Sequence, residues 1–501
     1  MNYDAQFLPR RVARPVTAQA PDAVGQEPKH QDGSPASSAR PTSIRPGSGM
    51  LPADLLAAAG TISPADDLPG LGRLPLYPDA ADALAADPLP AGPLTADGLA
   101  AQAPVTDGVL AGVPGATTEP DRPGEAGLLG PPPGRSAGRH VLFVAWRDLA
   151  SPRAGGSEVL VDNLARGVLA RGDRATLLCG GPVAERPYRV IRNGGSYTQF
   201  ARAPLAYRRQ LTDADLVVEV CNGMPFFAPL WSRRPTLCLV NHVHTDLWRL
   251  RMPPPLSTAG RFTESVLMPR AHRGNLFLTV SPSTAEALQE IGVPAERIRQ
   301  ICNGVVQPDP LTPRSAEPMF LALGRLTDYK RIDLLLRLWE RVRPVTGGTL
   351  VIAGDGPERG RIQALAGPGV VITGRVSEPE KHRLLCAAWM LLHPAMIEGW
   401  GIVIAEAAIR GTPAIGFNVP GLRDSVVDGE TGTLVANDGQ FASAWAALAL
   451  DRRRREEMGH AARRRALQLH WSAAVEGFAA VADEAIERAR AGQRAGAVRQ
   501  P

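Results

Sequence analysis

The stretch MLLHPAMIEGWGIVIAEAAIRGTPAIGFNVPGLRDSVVDGETGTLV, residues 390–435, decides the fold of this chain. The apolar run 390–394 predicts a buried strand, and the helix-forming run 402–410 ends at Gly411. The turn between them is rich in glycine, which lets the backbone approach a ligand closely. The free N–H groups at the start of the following helix can bind phosphate or sugar oxygens. This arrangement predicts a ligand site at the carboxyl end of a strand.

Two carboxylates bracket this turn and helix. Glu398 comes just before the glycines, and Glu406 lies in the second turn of the predicted helix. Because carboxylates accept hydrogen bonds from hydroxyl groups, the pair fits a polyhydroxylated, phosphorylated ligand such as a nucleotide sugar. A helix cap and a solvated helix face would explain the same two residues, so the remaining chain must decide.

The charge of the chain is distributed unevenly. Residues 1–137 carry 9 Lys and Arg against 15 Asp and Glu, whereas residues 138–501 carry 46 against 35. The basic body suits phosphorylated substrates or an anionic lipid surface. The sequence has no basic ribbon with interleaved aromatic residues, so we expect no nucleic-acid partner.

The cysteines and the N-terminus predict the compartment. The five cysteines are scattered without a CxxC pair or zinc spacing, which indicates buried free thiols in a reducing environment. The N-terminus lacks the apolar core of a signal peptide, and no run approaches the ~20 apolar residues of a membrane span. We therefore expect a cytoplasmic protein, with a peripheral contact at the inner face of the membrane as an alternative.

The chain divides into four predicted parts. Residues 1–137 hold 22 of the 47 prolines and almost no aromatic residues, which predicts a disordered tail. Apolar runs then alternate with helical patterns twice, over 138–310 and over 311–475, and residues 476–501 form a terminal helix and tail. This alternation predicts an α/β fold of two facing Rossmann-like domains.

Ten strands are predicted from short apolar runs between helical or polar segments. They are 140–146, 175–179, Leu216–Cys221, Thr236–Val240 and 276–280 in the first domain, and Met319–Leu323, Thr349–Ala353, 370–373, Met390–His393 and Ala414–Phe417 in the second. Ligands of such sheets bind outside the carboxyl ends of the strands. Site residues are therefore expected just after each strand.

Two cations follow the strand Met319–Leu323. Arg325 comes almost immediately and Lys330 five residues later, before a helix begins. Together they suit a diphosphate, Arg by its planar fork and Lys as a point charge, and they would stabilise the charge of a departing nucleoside diphosphate. A pair of solvated loop charges is the alternative interpretation.

The first domain offers two further groups at carboxyl ends. Gly155 and Gly156 precede a helix that starts near Ser157 and can bring backbone N–H groups to phosphates. His242 and His244 follow the strand Thr236–Val240. A metal site needs more ligands than these histidines and their single acidic neighbour provide, so hydrogen bonding to a sugar is the better interpretation.

Two charged groups are interpreted as lying outside the site. Asp213 and Asp215 resemble a cation-binding carboxylate pair, but they precede a strand and so belong to the opposite edge of the sheet. Ten arginines crowd residues 201–275, where only five acids occur. A solvated face explains most of them, and a patch for a membrane surface is the alternative.

Taken together, these segments resemble the retaining glycosyltransferases of family 4, which have the GT-B fold. The matches run from about residue 144 to 435, and the most specific is Glu398 and Glu406 separated by seven residues in EGWGIVIAEA. GRLTDYKRID, VIAGDGPE, VSPSTAEAL and ICNGV add to it. WRDLASPRAGGSE, VEVCNGMPFFAPLW and NHVHTDLW resemble a bacterial subgroup.

The resemblance implies a role for each matching position. Arg325 and Lys330 would bind the donor diphosphate, Glu406 the ribose hydroxyls, and Glu398 the hydroxyls of the transferred sugar. The other implied contacts are the backbone at Gly399, Trp400, Gly401 and Ile402 for sugar or phosphate, the main chain near Arg375 for the base, Gly155 and Gly156 for the phosphate and acceptor side, and His242 or His244 for the donor sugar.

The implied activity is metal-independent transfer, with retention, from a nucleotide-diphospho sugar to a hydroxyl of a carbohydrate or lipid-linked acceptor. Such a hexosyltransferase needs no cofactor and would serve cell-envelope, polysaccharide or glycolipid synthesis. The alternatives are a catalytically idle GT-B scaffold and a GT-B epimerase or phosphorylase. We expect Lys330→Ala and Glu406→Ala to weaken donor binding and leave thermal stability nearly unchanged.

Overall fold

Two parallel β-sheets organise the residues that the computed structural model describes, 138–308 and 310–498. Buried apolar clusters cover both faces of each sheet, which confirms the predicted α/β fold of two doubly wound sheets. The predicted tail, residues 1–137, lies outside the described residues. The predicted domain limits stay predictions, and both sheets lie within them.

The first sheet has seven strands in the order β3-β2-β1-β4-β5-β6-β7. They are β1 (His140–Arg147), β2 (Arg174–Gly180), β3 (Arg189–Arg192), β4 (Leu216–Cys221), β5 (Thr236–Val240), β6 (Leu276–Thr279) and β7 (Ile298–Gln300). The second sheet has six in the order β10-β9-β8-β11-β12-β13. They are β8 (Met319–Leu323), β9 (Thr349–Ala353), β10 (Val370–Gly374), β11 (Met390–His393), β12 (Ala414–Phe417) and β13 (Gly432–Val435).

Helices connect these strands. In the first half of the chain they are α1 (Gly156–Ala170), α2 (Thr198–Gln210), α3 (Ala228–Trp231), α4 (Thr245–Arg251), α5 (Pro254–Phe262), α6 (Met268–Ala271) and α7 (Pro282–Glu290), with a π-helical turn at Thr263–Leu267. In the second half they are α8 (Ile332–Thr346), α9 (Arg359–Leu365), α10 (Glu378–Ala387), α11 (Ile402–Ala408), α12 (Leu422–Ser425), α13 (Asp438–Leu450), α14 (Arg452–Ala466) and α15 (Trp471–Val498).

The central strands are buried on both faces. All six residues of β4 and all five of β5 are buried. Helices cover both sides of a parallel sheet, which explains why these strands are apolar apart from Glu219 and Thr236. In the second domain Phe320 packs edge-on against two tryptophans, Trp339 and Trp445, with ring centroids 5.7 and 5.2 Å away. The apolar runs from which the strands were predicted thus form the centres of the two hydrophobic cores.

The sequence missed three strands, β3, β7 and β13. Each lies at an edge of its sheet, and none is apolar throughout: β3 reads RVIR, β7 IRQ and β13 GTLV. An edge strand has only one neighbour and partly meets water, so it needs no continuous apolar sequence. The two outer strands of the first sheet, β3 and β7, are among the three.

The last helix, α15, packs on the first sheet although it follows the second in sequence. The ring of Phe478 stacks on Phe143 of β1 with centroids 5.7 Å apart. A Cβ atom on Gly167 of α1 would lie only 2.3 Å from a methyl carbon of Val475. The terminal helix was predicted to start at residue 476; it starts at Trp471, and its contacts tie the chain end to the first domain.

All five cysteines are free, and four of them are buried: Cys179, Cys221, Cys238 and Cys386. Burial raises the pKa of the Cys179 thiol to about 12, so this side chain behaves as a small apolar group. Across residues 138–308 and 310–498, no helix is both long enough and apolar enough to span a membrane.

Phe478→Ala should destabilise the protein by about 3–5 kcal/mol, because it opens a cavity between α15 and β1. Equilibrium unfolding in urea, followed by circular dichroism, would measure this loss. Leu450→Ala is the matched control: its side chain is 56% exposed, so the change should stay within about 0.5 kcal/mol. Equal effects of the two substitutions would contradict the packing described for α15.

Candidate active site

Two hydrogen bonds join loops of the two domains. The guanidinium of Arg325, just after β8, donates to the backbone oxygen of Arg153 at 3.3 Å. That of Arg375, just after β10, donates to the backbone oxygen of Pro152 at 2.7 Å. The carboxyl ends of the two sheets therefore face each other across a cleft, as the sequence predicts, and both arginines lie in it.

The glycine pair before α1 lies against the second domain. A Cβ atom on Gly155 would lie 3.7 Å from Nε of Arg325, and one on Gly156 would lie 3.2 Å from Cδ1 of Ile402. The Gly155 N–H donates to Glu158 in the first turn of α1 at 2.7 Å, which fixes the loop. The structure thus brings together the predicted glycines, Arg325 and the start of α11.

The turn before α11 requires glycine. Gly401 has a φ of 79°, in the left-handed region that other residues adopt only with strain, and Ile402 begins the helix directly after it. The side chain of Trp400 is only 7% exposed and belongs to an apolar core. The ring of Trp400 is therefore not available to a ligand, and the backbone contact that the resemblance implies stays a prediction.

A charged cluster surrounds Glu398 in the loop after β11. One carboxylate oxygen accepts a hydrogen bond from the Lys330 ammonium and lies 3.1 Å from Nε2 of His393. The other accepts from the backbone N–H of Gly399 at 3.2 Å. Two residues chosen from separate sequence motifs, Lys330 and Glu398, are thus in direct contact.

The electrostatics of this cluster keep Glu398 ionised. Burial alone would raise the pKa of the Glu398 carboxyl, but the nearby Lys330 charge and the hydrogen bond from His393 outweigh it and hold that pKa well below its usual value. Burial and the Lys330 charge lower the pKa of His393. Glu398 therefore offers a fixed negative charge to a ligand in the cleft.

Comparison with known families decides the identity of the two domains. The model of Glycosyltransferase Family 4 matches residues 154–306, and the model of Glycosyl transferases group 1 matches residues 307–465. The chain belongs to the family 4 and group 1 glycosyltransferases. The two matches meet in the segment between the sheets, so each sheet corresponds to one family model.

Relatives and solved structures agree with this membership. The D-inositol 3-phosphate glycosyltransferase of Kribbella flavida is 35% identical over 166 residues, which are 30% of this chain and 39% of the relative. The chain thus spans about two fifths of the length of the first curated relatives that it matches, at 39% and 42%.

Among solved structures, HepE of Anabaena, in complex with UDP and glucose, superposes with a TM-score of 0.58 at 18% identity. The match covers 69% of this chain and 100% of HepE. The sucrose-phosphate synthase of Thermosynechococcus elongatus gives 0.58 at 19% identity, over 69% and 98%. At such identities the likeness shows the shared fold, the GT-B fold that the sequence predicts.

Glu406, the second glutamate of the motif EGWGIVIAEA, has a partner that the sequence did not predict. Its carboxylate accepts a hydrogen bond from the ammonium of Lys381 in α10 at 2.8 Å. Burial would lower the pKa of Lys381, but the carboxylates of Glu406 and Glu378 outweigh it and raise that pKa. The donor role of Glu406 stays a prediction, and Lys381 is the group that holds its side chain.

The two histidines of the glycosyltransferase cleft differ in their surroundings. A Cβ atom on Gly399 would lie 3.6 Å from Cβ of His242, so this residue lies against the loop after β11. Its Nδ1 is buried and has no hydrogen-bond partner among the described residues. Burial and the neighbouring His244 lower the pKa of His242 to about 3, so its ring is neutral at physiological pH.

His244 is tied to its own domain. Its Nδ1 lies 2.9 Å from the backbone oxygen of His242, and its backbone N–H donates to the buried Glu264 at 2.7 Å. The sequence left the choice between the two histidines open. The unpartnered ring nitrogen and the contact with Gly399 distinguish His242 from His244, and a contact of either histidine with a donor stays a prediction.

Asp213 and Asp215, which were predicted to lie outside the site, do lie at the opposite edge of the first sheet. Asp215 accepts a hydrogen bond from the backbone N–H of His140, the first residue of β1, at 2.8 Å. The carboxylate of Asp213 lies 3.0 Å from Nδ1 of the same histidine. These acids therefore fasten the amino ends of the strands and lie away from the cleft.

Sequence reasoning missed several groups that build the cleft. Ser157 at the start of α1 accepts hydrogen bonds from the amides of Asn222 and Asn241 at 2.9 and 3.0 Å, which links the loops after β4 and β5. His393 was overlooked although it ends β11, the position where site residues are expected. Strand ends alone could have identified His393, Asn222 and Asn241.

The ion pair with Glu398 changes the stability expected for Lys330→Ala. The sequence predicted almost no change, whereas loss of the ammonium removes the main partner of a largely buried carboxylate and should cost about 1–3 kcal/mol at pH 7. Urea unfolding would measure it, with Arg325→Ala as a control, because Arg325 is exposed and should change stability by less than about 0.5 kcal/mol.

The same comparison has a defined pH dependence. Because the folded-state pKa of Glu398 lies below its ordinary value of 4.5, the ion pair stabilises the protein above that pH, and this stabilisation is lost as the pH falls toward the folded-state pKa. The difference between wild type and Lys330→Ala should narrow below pH 4.5. A difference that widens on acidification would contradict the ion pair.

Proposed function

We propose that the protein transfers a hexosyl group from a nucleotide-diphospho sugar to an acceptor hydroxyl, with retention of the anomeric configuration and without a metal cofactor. The observation that carries this proposal is the contact between Lys330 and Glu398 beside the glycine loop and Arg325. The cations Arg325 and Lys330 and the carboxylate of Glu398 thus lie in one cleft between the two domains that match the family models.

The proposal assigns each charge to a part of the donor. Arg325 and Lys330 bind the diphosphate; the Lys330 ammonium has three N–H donors, so it can serve both a phosphate and Glu398. Glu398 accepts from the hydroxyls of the transferred sugar, and the backbone at the start of α11 donates to its oxygens. The main chain near Arg375 contacts the base.

The proposed reaction breaks the bond between the anomeric carbon and the diphosphate oxygen, which leaves with the bonding electrons. The acceptor oxygen forms the new bond on the same face, and its proton passes to the departing phosphate. The two cations stabilise the charge that develops on the leaving group, so they take the part that a metal ion has in other transferases. His242, neutral and next to Gly399, hydrogen-bonds the sugar.

The comparisons suggest where to begin the search for substrates. The HepE structures contain UDP and glucose or UDP-glucose, so a uridine donor is the first candidate. Several relatives are named for transfer to D-inositol 3-phosphate, which makes a phosphorylated polyol one acceptor class beside carbohydrate and lipid-linked acceptors. Synthesis of envelope polysaccharide or glycolipid in the cytoplasm fits these substrates.

Titration calorimetry with UDP and GDP tests the donor site directly. Arg325→Ala should weaken nucleotide binding at least tenfold, a loss of about 1.4 kcal/mol, and Arg325→Lys should restore only part of it, because a point charge lacks the planar fork. Arg341→Ala, at an exposed position of α8, is the matched control. No binding of either nucleotide would favour the idle scaffold.

Analysis of the products separates transfer from the remaining alternatives. With a donor identified, a transferase yields a new glycosidic bond of the donor's anomeric configuration, which proton coupling constants report. Release of free nucleotide without a new glycosidic bond contradicts transfer. A sugar with an inverted ring carbon points to an epimerase, and a sugar phosphate formed in the presence of inorganic phosphate points to a phosphorylase. Any of these outcomes would refute the proposed reaction while leaving the nucleotide site intact.

The role proposed for Glu406 can be tested with a matched ligand. Glu406→Ala should weaken UDP binding by about 1–3 kcal/mol, because the ribose hydroxyls lose a charged acceptor. It should leave the weaker binding of 2′,3′-dideoxy-UDP unchanged, since that ligand has no ribose hydroxyls. If both ligands lose the same affinity, Glu406 acts only by holding Lys381 and α10, and the assignment to ribose is wrong.

A further inference from the structure

A helical hairpin of the first domain, residues 245–267, turns its apolar side to solvent. It comprises α4, α5 and the π-helical turn after them. The buried positions of α5 and the turn are Ser257, Gly260 and Glu264. A helix that only covers the core would bury its large apolar residues and expose the small and polar ones. In this hairpin the distribution is the reverse.

The exposed side of α5 is apolar and regular. Pro255, Ala259 and Phe262 recur at i, i+4 and i+7, which places them on one face of the helix, and all three are exposed. Leu256 adjoins this face and is 50% exposed, and Phe262 is 53% exposed. Residues 249–256, which comprise the end of α4, the connection 252–253 and the start of α5, are all exposed as well.

Specific contacts hold the hairpin in the orientation that exposes its large apolar residues. The ring of Trp248 lies against Gly260 so closely that a Cβ atom there would be 2.4 Å from it. The indole N–H of Trp248 donates to Glu264 at 3.2 Å, and the backbone N–H of His244 donates to the same carboxylate. The hairpin is thus held in one position with its apolar face outward.

Arginines accompany this apolar face. Residues 245–275 contain five arginines and two acids, and one of the acids, Glu264, is buried. Arg249, Arg251, Arg270 and Arg273 are exposed. Exposed leucine and phenylalanine side chains between exposed arginines are typical of a segment that lies in the headgroup region of a membrane.

We propose that the hairpin 245–267 binds the surface of a bilayer that contains anionic lipids. Leu256 and Phe262 insert between the acyl chains, and the flanking arginines bind lipid phosphates. A lipid bilayer is favoured over a protein partner because it offers apolar depth and a layer of negative charge together, and the hairpin presents both complements.

The hairpin also adjoins the cleft. It begins directly after His244, and Arg251 at its tip lies 3.5 Å from Asp328 in the loop that carries Lys330. A bilayer bound here would lie next to the site, where a lipid-linked acceptor would enter. That last inference rests on the proposed function, whereas binding of the hairpin to lipid does not.

Vesicle co-sedimentation of the full chain tests the proposal. Wild type should pellet with phosphatidylcholine vesicles that contain phosphatidylglycerol and pellet less with phosphatidylcholine alone, and added salt should weaken the binding. The double variant Leu256→Glu/Phe262→Glu should bind the anionic vesicles at least about tenfold less tightly. Leu365→Glu/Leu450→Glu, at sites 46% and 56% exposed in the second domain, should bind like wild type.

Two further measurements make the result decisive. Each variant is titrated with UDP and melted, since an unchanged melting point shows that lost vesicle binding is not unfolding. Sedimentation velocity without lipid tests for self-association. The proposal is overturned if wild type does not bind anionic vesicles, if both double variants bind like wild type, or if the hairpin variant abolishes a dimer. Absence of binding of both UDP and GDP would refute the proposed function and leave the vesicle result standing.

Discussion

The ion pair between Lys330 and Glu398 is the contact on which the candidate site depends. A carboxylate with so little access to water needs an opposite charge and hydrogen bonds, and here it has the ammonium, His393 and a backbone N–H. The pair is possible because β8 and β11 are neighbours in the second sheet. Loops that follow neighbouring parallel strands meet at the same edge, although 68 residues separate the two side chains.

Two of the contacts between the domains, those of Arg325 and Arg375, are of a kind that a ligand can replace. Arg325 and Arg375 donate to backbone carbonyls of the first domain, which are neutral acceptors. A diphosphate offers charged acceptors, and hydrogen bonds between charged groups are roughly twice as strong as neutral ones. A diphosphate could therefore displace the backbone carbonyls as the acceptor for these two arginines. The glycine loop beside them leaves room for a phosphate to approach the backbone closely.

The first domain has two structural features that are not part of the candidate site. Helix α15 returns from the chain end to stack Phe478 on β1, so the two domains are connected by the segment between the sheets and again by the last helix. The hairpin 245–267 places its apolar face outward beside the cleft. Both features lie in helices, where a pattern of side chains shows that a face is apolar but does not show what covers it.

The central strands and much of the site were accessible from the sequence, because each depends on a local pattern. The central residues of strands such as β5 and β8 are buried on both faces and read as apolar runs. Arg325, Lys330 and Glu398 could be predicted as site residues because they follow such runs. The edge strands β3, β7 and β13 escaped prediction, since one partner and partial exposure impose no continuous apolar sequence.

By itself the sequence determined which segments form the two cores and which residues stand at the strand ends, for hydrophobic burial and chain geometry are properties of short stretches. Only the tertiary structure decided which of those residues touch. It paired Lys330 with Glu398 and Glu406 with Lys381, and it buried the ring of Trp400. It also turned an apolar helix face to solvent, because contacts between distant segments depend on how the layers pack, which no single stretch records.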